Sequence, residues 1–180
     1  MNKALIIIDI QNDYFPNGKI ELFESEKASI NAKKILDKFR EKNQLVVHIK
    51  HLSTRPDASF FLPDTLGAEI HNSVKPQPNE KVFIKHFPNS FRDTELFEYL
   101  KNNDIENLVI LGMMTHMCVD ATVRAGKDLG FKIKVIGDAC ATKNLEIFGK
   151  KVDAENVQKS FLSALNYFYA EVINTNDFDI

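Results

Sequence analysis

Five consecutive apolar residues, Ala4-Leu5-Ile6-Ile7-Ile8, run directly into a carboxylate at Asp9. An apolar run without polar alternation, rich in β-branched residues, suits a strand covered on both faces, as in a parallel sheet flanked by helices. The pattern recurs in Leu45-Val46-Val47-His48-Ile49, Val82-Phe83-Ile84, Leu108-Val109-Ile110-Leu111 and Ile133-Lys134-Val135-Ile136. Between these runs the apolar period changes to that of a helix. Ala28, Ala32, Ile35, Leu36 and Phe39 mark one stripe, and Leu96, Phe97 and Leu100 mark a second. Val119, Thr122, Val123, Ala125 and Leu129 form a third, closed by Gly130, and Phe161, Leu162, Leu165 and Phe168 form the last, before a short terminal strand at Val172-Ile173.

Strands alternating with helices at this spacing predict βαβ units and an α/β fold with a doubly wound, mostly parallel sheet. No linker divides residues 1–180, so one domain is expected. The stretch from Leu52 to Glu80 breaks the alternation with Pro56, Pro63, Pro76, Pro78 and Gly67, as a lid, binding loop or interface arm would. Its Phe60, Phe61 and Leu62 call for cover, which suggests a homodimer or higher homo-oligomer.

The net charge of −2 gives no electrostatic reason to expect nucleic acid or an anionic membrane as partner, which leaves a small molecule. The N-terminal apolar run is too short for a signal or a membrane span, and two cysteines are too few for a disulfide framework. A cytoplasmic location is the expectation.

In such sheets, sites form at the carboxyl ends of strands near the switch in strand order. Asp9, Lys85 and the turn beginning at Gly112 all follow predicted strands. Cys118 stands between a strand and an amphipathic helix, where N–H groups and the helix dipole are expected to lower a thiol pKa. A buried Asp and a buried Lys are each costly alone; paired beside a thiol, they would supply a proton acceptor and a positive field.

Four ordered segments carry a resemblance. Asp9-Ile10-Gln11-Asn12-Asp13-Tyr14-Phe15 resembles the Asp-x-Gln-x-Asp-Phe opening of isochorismatase-like hydrolases, and Lys85 through Phe91 resembles their lysine segment. Gly112 through Val119 is similar to their Gly-x-x-Thr-x-x-Cys-Val turn, and Gly137-Asp138-Ala139-Cys140-Ala141 to their post-strand Asp-Ala motif. The resemblance implies a Rossmann-like three-layer α/β/α fold and a catalytic triad of Asp9, Lys85 and Cys118. It also implies a cis peptide at Met113–Met114, an oxyanion hole from the N–H groups of Met114 and Cys118, and a bracing role for Thr115; no cofactor is expected.

Phe15, Phe91 and His116 are expected to touch substrate, and Cys140 to pack. His48, His51 and His71 with Asp57 invite a metal, because nicotinamidases in the family bind a divalent ion after the second strand. The tight Asp-x-His pattern is missing here, and i, i+3 spacing on a strand turns His48 and His51 to opposite faces, so no metal is expected. Hydrolysis of a C–N bond in a small amide is the leading expectation. A vinyl ether hydrolase would not need the thiol, and a catalytically idle binding module would need the reactive residues to converge by accident.

Overall fold

The first strand, β1 (Lys3–Ile8), lies between two parallel neighbours, and Ala4 through Ile8 are at most 1% exposed. The computed structural model describes residues 2–180. The strands β2 (Leu45–His51), β3 (Lys81–Lys85), β4 (Asn107–Met113), β5 (Lys132–Ala141) and β8 (Glu171–Ile173) complete a six-stranded sheet in the order β3-β2-β1-β4-β5-β8. Every pairing in it is parallel. The chain runs outward from β1 in one direction and from β4 in the other, so the strand order switches between β1 and β4.

Right-handed crossovers in opposite directions put their helices on opposite faces. Thus α1 (Ser25–Glu41) covers one face, while α2 (Leu96–Asn102), α3 (Asp120–Asp128) and α4 (Ala154–Phe168) share the other. The result is the three-layer α/β arrangement. Gly130, with φ 95°, follows α3 as the left-handed residue that ends it. No helix among the described residues is long and apolar enough to cross a membrane.

Two features differ from expectation. The segment Gly137–Ala141 does not follow the fifth strand but belongs to it, because a register shift opposite Ile110 and Gly112 lets β5 continue to Ala141. The chain then forms an unforeseen antiparallel hairpin, β6 (Leu145–Ile147) and β7 (Lys150–Val152), turning at Phe148 and Gly149 with positive φ at both.

The long segment from Leu52 to Glu80 has two short 3₁₀ turns, Leu66–Ala68 and Asn72–Val74. It buries its own aromatics. Phe61 is 1% exposed, with its ring 4.6 Å from Tyr14 and 5.1 Å from Phe60. Of Phe60-Phe61-Leu62, offered as the reason for association, Phe61 finds its cover within the chain, while Phe60 is half-buried and Leu62 exposed.

Candidate active site

Asp9 is the first residue beyond β1, and its backbone turns sharply there, with φ 50°. A non-glycine residue in the left-handed region carries strain of about 1–3 kcal/mol, tolerated where the surroundings enforce it. The Asp9 N–H still donates to Ile49 O at 3.1 Å, and the Gln11 N–H donates to Asp9 O at 2.9 Å. Behind it, Gly112 of β4 comes so close to β1 that an added Cβ would sit 2.0 Å from Ile8 O. Only glycine permits that approach, and Gly112 also has φ 131°.

Lys85 closes β3, in register with His51 at the end of β2. Its ammonium lies 2.7 Å from Asp9 Oδ2, and both side chains are wholly buried. The other donors of Lys85 go to His51 Nδ1 at 3.0 Å and Phe87 O at 3.1 Å. All three N–H groups of the ammonium thus have acceptors. Asp9 Oδ1, in contrast, has no hydrogen-bond partner among the described residues.

Cys118 lies in a π-helical turn, Thr115–Val119, that leads into α3. The Met113–Met114 peptide before it is cis. Thr115 is fully buried and donates to Ala141 O at 3.2 Å, which ties the turn to the end of β5. The Lys85 loop is tied to the same helix: the Ser90 N–H donates to Thr122 Oγ1 at 3.0 Å, and the two hydroxyls lie 2.9 Å apart.

The expected lowering of the Cys118 thiol is not what the surroundings produce. Burial pushes it up, the Asp9 charge pushes it further, and Lys85 only partly opposes them. A helix start cannot offset full burial beside a carboxylate. Burial also raises Cys140, to about 12, and its thiol donates to Ile136 O.

The other residues of the opening motif act on the long segment. Gln11 donates to His51 O and Ala68 O and accepts the His51 N–H at 2.8 Å. The Asp13 carboxylate accepts the Phe61 N–H at 2.7 Å and the Lys19 N–H at 3.2 Å, while Gly67 packs against it. Asp138 holds Asn31 of α1 and both the N–H and hydroxyl of Thr175, so its motif is a staple between layers.

Of the expected substrate contacts, Phe91 and His116 are each half-buried and have partners of their own. The Phe91 ring stacks on Phe131 and packs over Gly126, among the helices of one face. His116 places Nδ1 2.6 Å from Thr142 Oγ1 and its ring beside Phe161. The periodicity of the sequence did not encode which way these side chains turn. Phe15 is buried, with one ring face stacked on His71 at 3.7 Å.

The four metal candidates do not converge. His48 turns to Glu80 at 3.0 Å, His71 bonds Ser73, and Asp57 is exposed. Asp9, His51 and Cys118 do present ligating atoms within 4.8 Å of one another. A cation already stands among them: Lys85 is hydrogen-bonded to two of the three, so a metal would have to displace a sealed ammonium. The donor set fits Lys85 rather than a metal.

A family model described as the isochorismatase domain matches residues 3–177. The chain belongs to the isochorismatase family. It is 49% identical over 178 residues to the isochorismatase family protein YddQ of Bacillus subtilis, covering 99% of each chain. A crystal structure of a putative isochorismatase hydrolase from Oleispira antarctica superposes with a TM-score of 0.94 at 46% identity, covering 98% of this chain and 95% of that one. A nicotinamidase of Escherichia coli is 24% identical over 181 residues, covering 80% of this chain and 85% of that protein. This isochorismatase-family hydrolase shares its fold with the Oleispira antarctica protein.

Two residues at the site went unassigned in the sequence. Tyr14 is held well above the usual phenol range by burial, with Cys118, Asp9 and Asp13 nearby. Its place five residues after Asp9, inside the motif, was the available signal. His51 was considered only as a metal ligand; its contact with Lys85 depends on the β2–β3 register, which the sequence does not state.

Proposed function

We propose that the chain hydrolyses the C–N bond of a small amide through Cys118, with Asp9 as proton carrier and Lys85 as the fixed cation beside it. The observation that carries this reading is the free oxygen of Asp9. One carboxylate oxygen is bound to Lys85, while Oδ1 is buried without a partner near a thiol that burial keeps protonated. A protonated nucleophile needs a base, and a carboxylate with an uncommitted oxygen can serve as one.

In the first half-reaction Asp9 takes the thiol proton as sulfur attacks the amide carbonyl. The tetrahedral intermediate collapses, the C–N bond breaks, and the leaving amine takes the proton from Asp9. Water then attacks the thioester, releasing a carboxylic acid and restoring the thiol. By the family resemblance the oxyanion falls to the N–H groups of Met114 and Cys118, while those of Met117 and Val119 are spent on Met114 O, at 3.0 and 3.2 Å. The name of the nicotinamidase relative, an amidase, supports the amide reading. Vinyl ether cleavage would leave Cys118 without a task.

A panel of small primary amides, read by ammonia release, tests the proposal. Hydrolysis should vanish in Cys118→Ala, and intact-mass measurement should trap an acyl adduct with slow substrates. Turnover that survives Cys118→Ala would overturn it.

A further inference from the structure

His51 makes a contact that the proposed mechanism does not use. Its backbone is bracketed by Gln11, which accepts the His51 N–H and donates to its carbonyl, so the residue is held on both sides of the chain. Its ring nitrogen Nδ1 faces the Lys85 ammonium at 3.0 Å. An ammonium has only protons to offer, so Nδ1 must accept, and the ring proton of the neutral imidazole must stand on Nε2. That Nε2–H has no hydrogen-bond partner among the described residues and is not sealed from solvent, on a residue only half-buried. One nitrogen of the same ring lies within 4.8 Å of ligating atoms on both Cys118 and Asp9.

We propose that His51 is a substrate-recognition residue whose Nε2–H donates to an oxygen acceptor on the substrate, next to the carbonyl that Cys118 attacks. This rests on Cys118 being the nucleophile. The substrate class that follows is a small amide with a second oxygen function, a carboxylate or carbonyl, near the scissile group. The groups around the ring keep it neutral. Burial lowers its pKa to about 4; Asp9 opposes that, while Lys85, His86 and Arg55 reinforce it. The tautomer therefore stays fixed through the neutral range, and the donor is present whether or not a ligand is bound.

Nitrogen-15 NMR of the imidazoles reads the tautomer without any substrate. His51 should show a protonated Nε2 and an unprotonated Nδ1 from pH 5.5 to 8; a cationic ring at pH 6, or the opposite tautomer, would overturn the proposal. Recognition is read by protection of Cys118 from iodoacetamide, with succinamate and butanamide as competitors of matched length. Succinamate should protect at ~10-fold lower concentration, the effect of a hydrogen bond to a charged acceptor. His51→Leu should abolish that preference, while His51→Gln, whose amide offers an inward acceptor and an outward donor, should retain it. Equal protection by the two amides, or an unchanged preference in His51→Leu, would overturn the assignment. If Cys118→Ala still hydrolyses amides, the nucleophile reading fails instead, and the NMR result alone decides the state of His51.

Discussion

Lys85 Nζ and Asp9 Oδ2 lie 2.7 Å apart with neither side chain reaching solvent, although 76 residues of chain separate them. Removing one member of a buried pair strands the other as an uncompensated charge, at a cost of about 3–5 kcal/mol. Lys85→Met should therefore lose that much stability in urea or thermal unfolding. Lys85→Arg keeps the charge but cannot serve Asp9, His51 and Phe87 O from one point, because the guanidinium is planar and larger. It should fold and lose at least ~100-fold in amide hydrolysis, the lower end of what positioned proton transfer contributes. Near-wild-type turnover in that variant would show that a diffuse positive charge suffices.

Asp9→Asn separates nucleophilicity from catalysis. The Asp9 charge helps hold the Cys118 thiol up, and Lys85 pulls it down, so neutralising Asp9 should favour the thiolate. Alkylation of Cys118 by iodoacetamide at pH 7 should accelerate by at least ~10-fold, the effect of one pKa unit, while hydrolysis is lost. Peptide mapping across pH checks both the site and the shift. Slower labelling in Asp9→Asn would mean that the carboxylate activates the resting thiol instead of receiving its proton.

Acid should weaken the far end of the long segment first. Burial alone would raise the Glu80 carboxyl, but Arg40, the Gln77 N–H and His48 hold it at about 2, and His48 itself is lowered by burial. For both groups the folded state binds protons less readily than the unfolded chain. Their stabilisation is therefore complete above pH 6.5, falls below it as the unfolded chain's histidine takes up a proton that folded His48 resists, and is lost further as pH drops from about 4.5 towards 2. Unfolding midpoints measured from pH 7 to 2.5 should fall across that range. Glu80→Gln should be less stable at pH 7 and lose less on acidification.

Gly67→Ala tests how the segment is hung. A Cβ there would lie 2.1 Å from Asp13 Oδ1, so the carboxylate must move and release the Phe61 and Lys19 N–H groups. The cost expected is about 1–3 kcal/mol for each buried group left unpaired. Proteolysis between residues 53 and 70 should become faster than in the parent chain. A variant equally stable and equally resistant would show that Asp13 does not anchor the segment.

The sheet was legible because buried parallel strands leave an unmistakable apolar run, and the runs ending at Ile8 and Ile84 stop directly before Asp9 and Lys85. The meeting of Asp9, Lys85 and Cys118 could be anticipated because strand ends at a switch in strand order share an edge. What the sequence did not carry was orientation. Phe91 and His116 lie close in the chain to Lys85 and Cys118, yet both side chains turn into helix packing. The thiol's raised pKa was missed for a related reason: a helix start is visible in the letters, but complete burial beside Asp9 is not. The β6–β7 hairpin escaped because its short strands, Leu145–Ile147 and Lys150–Val152, are too brief to show a period.

The Leu52–Glu80 segment is held at a few points: Gln11 grips Ala68, Asp13 grips Phe61, and Arg40 with His48 grips Glu80. Between those grips, exposed residues such as Arg55, Asp57 and Asp64 carry little of the architecture. The stretch can thus be rewritten like the variable loop of a binding scaffold, with the strand ends that carry Asp9 and Lys85 left intact. A library confined to residues 54–59 would leave each of these grips in place, so sequence can change there without loosening the segment.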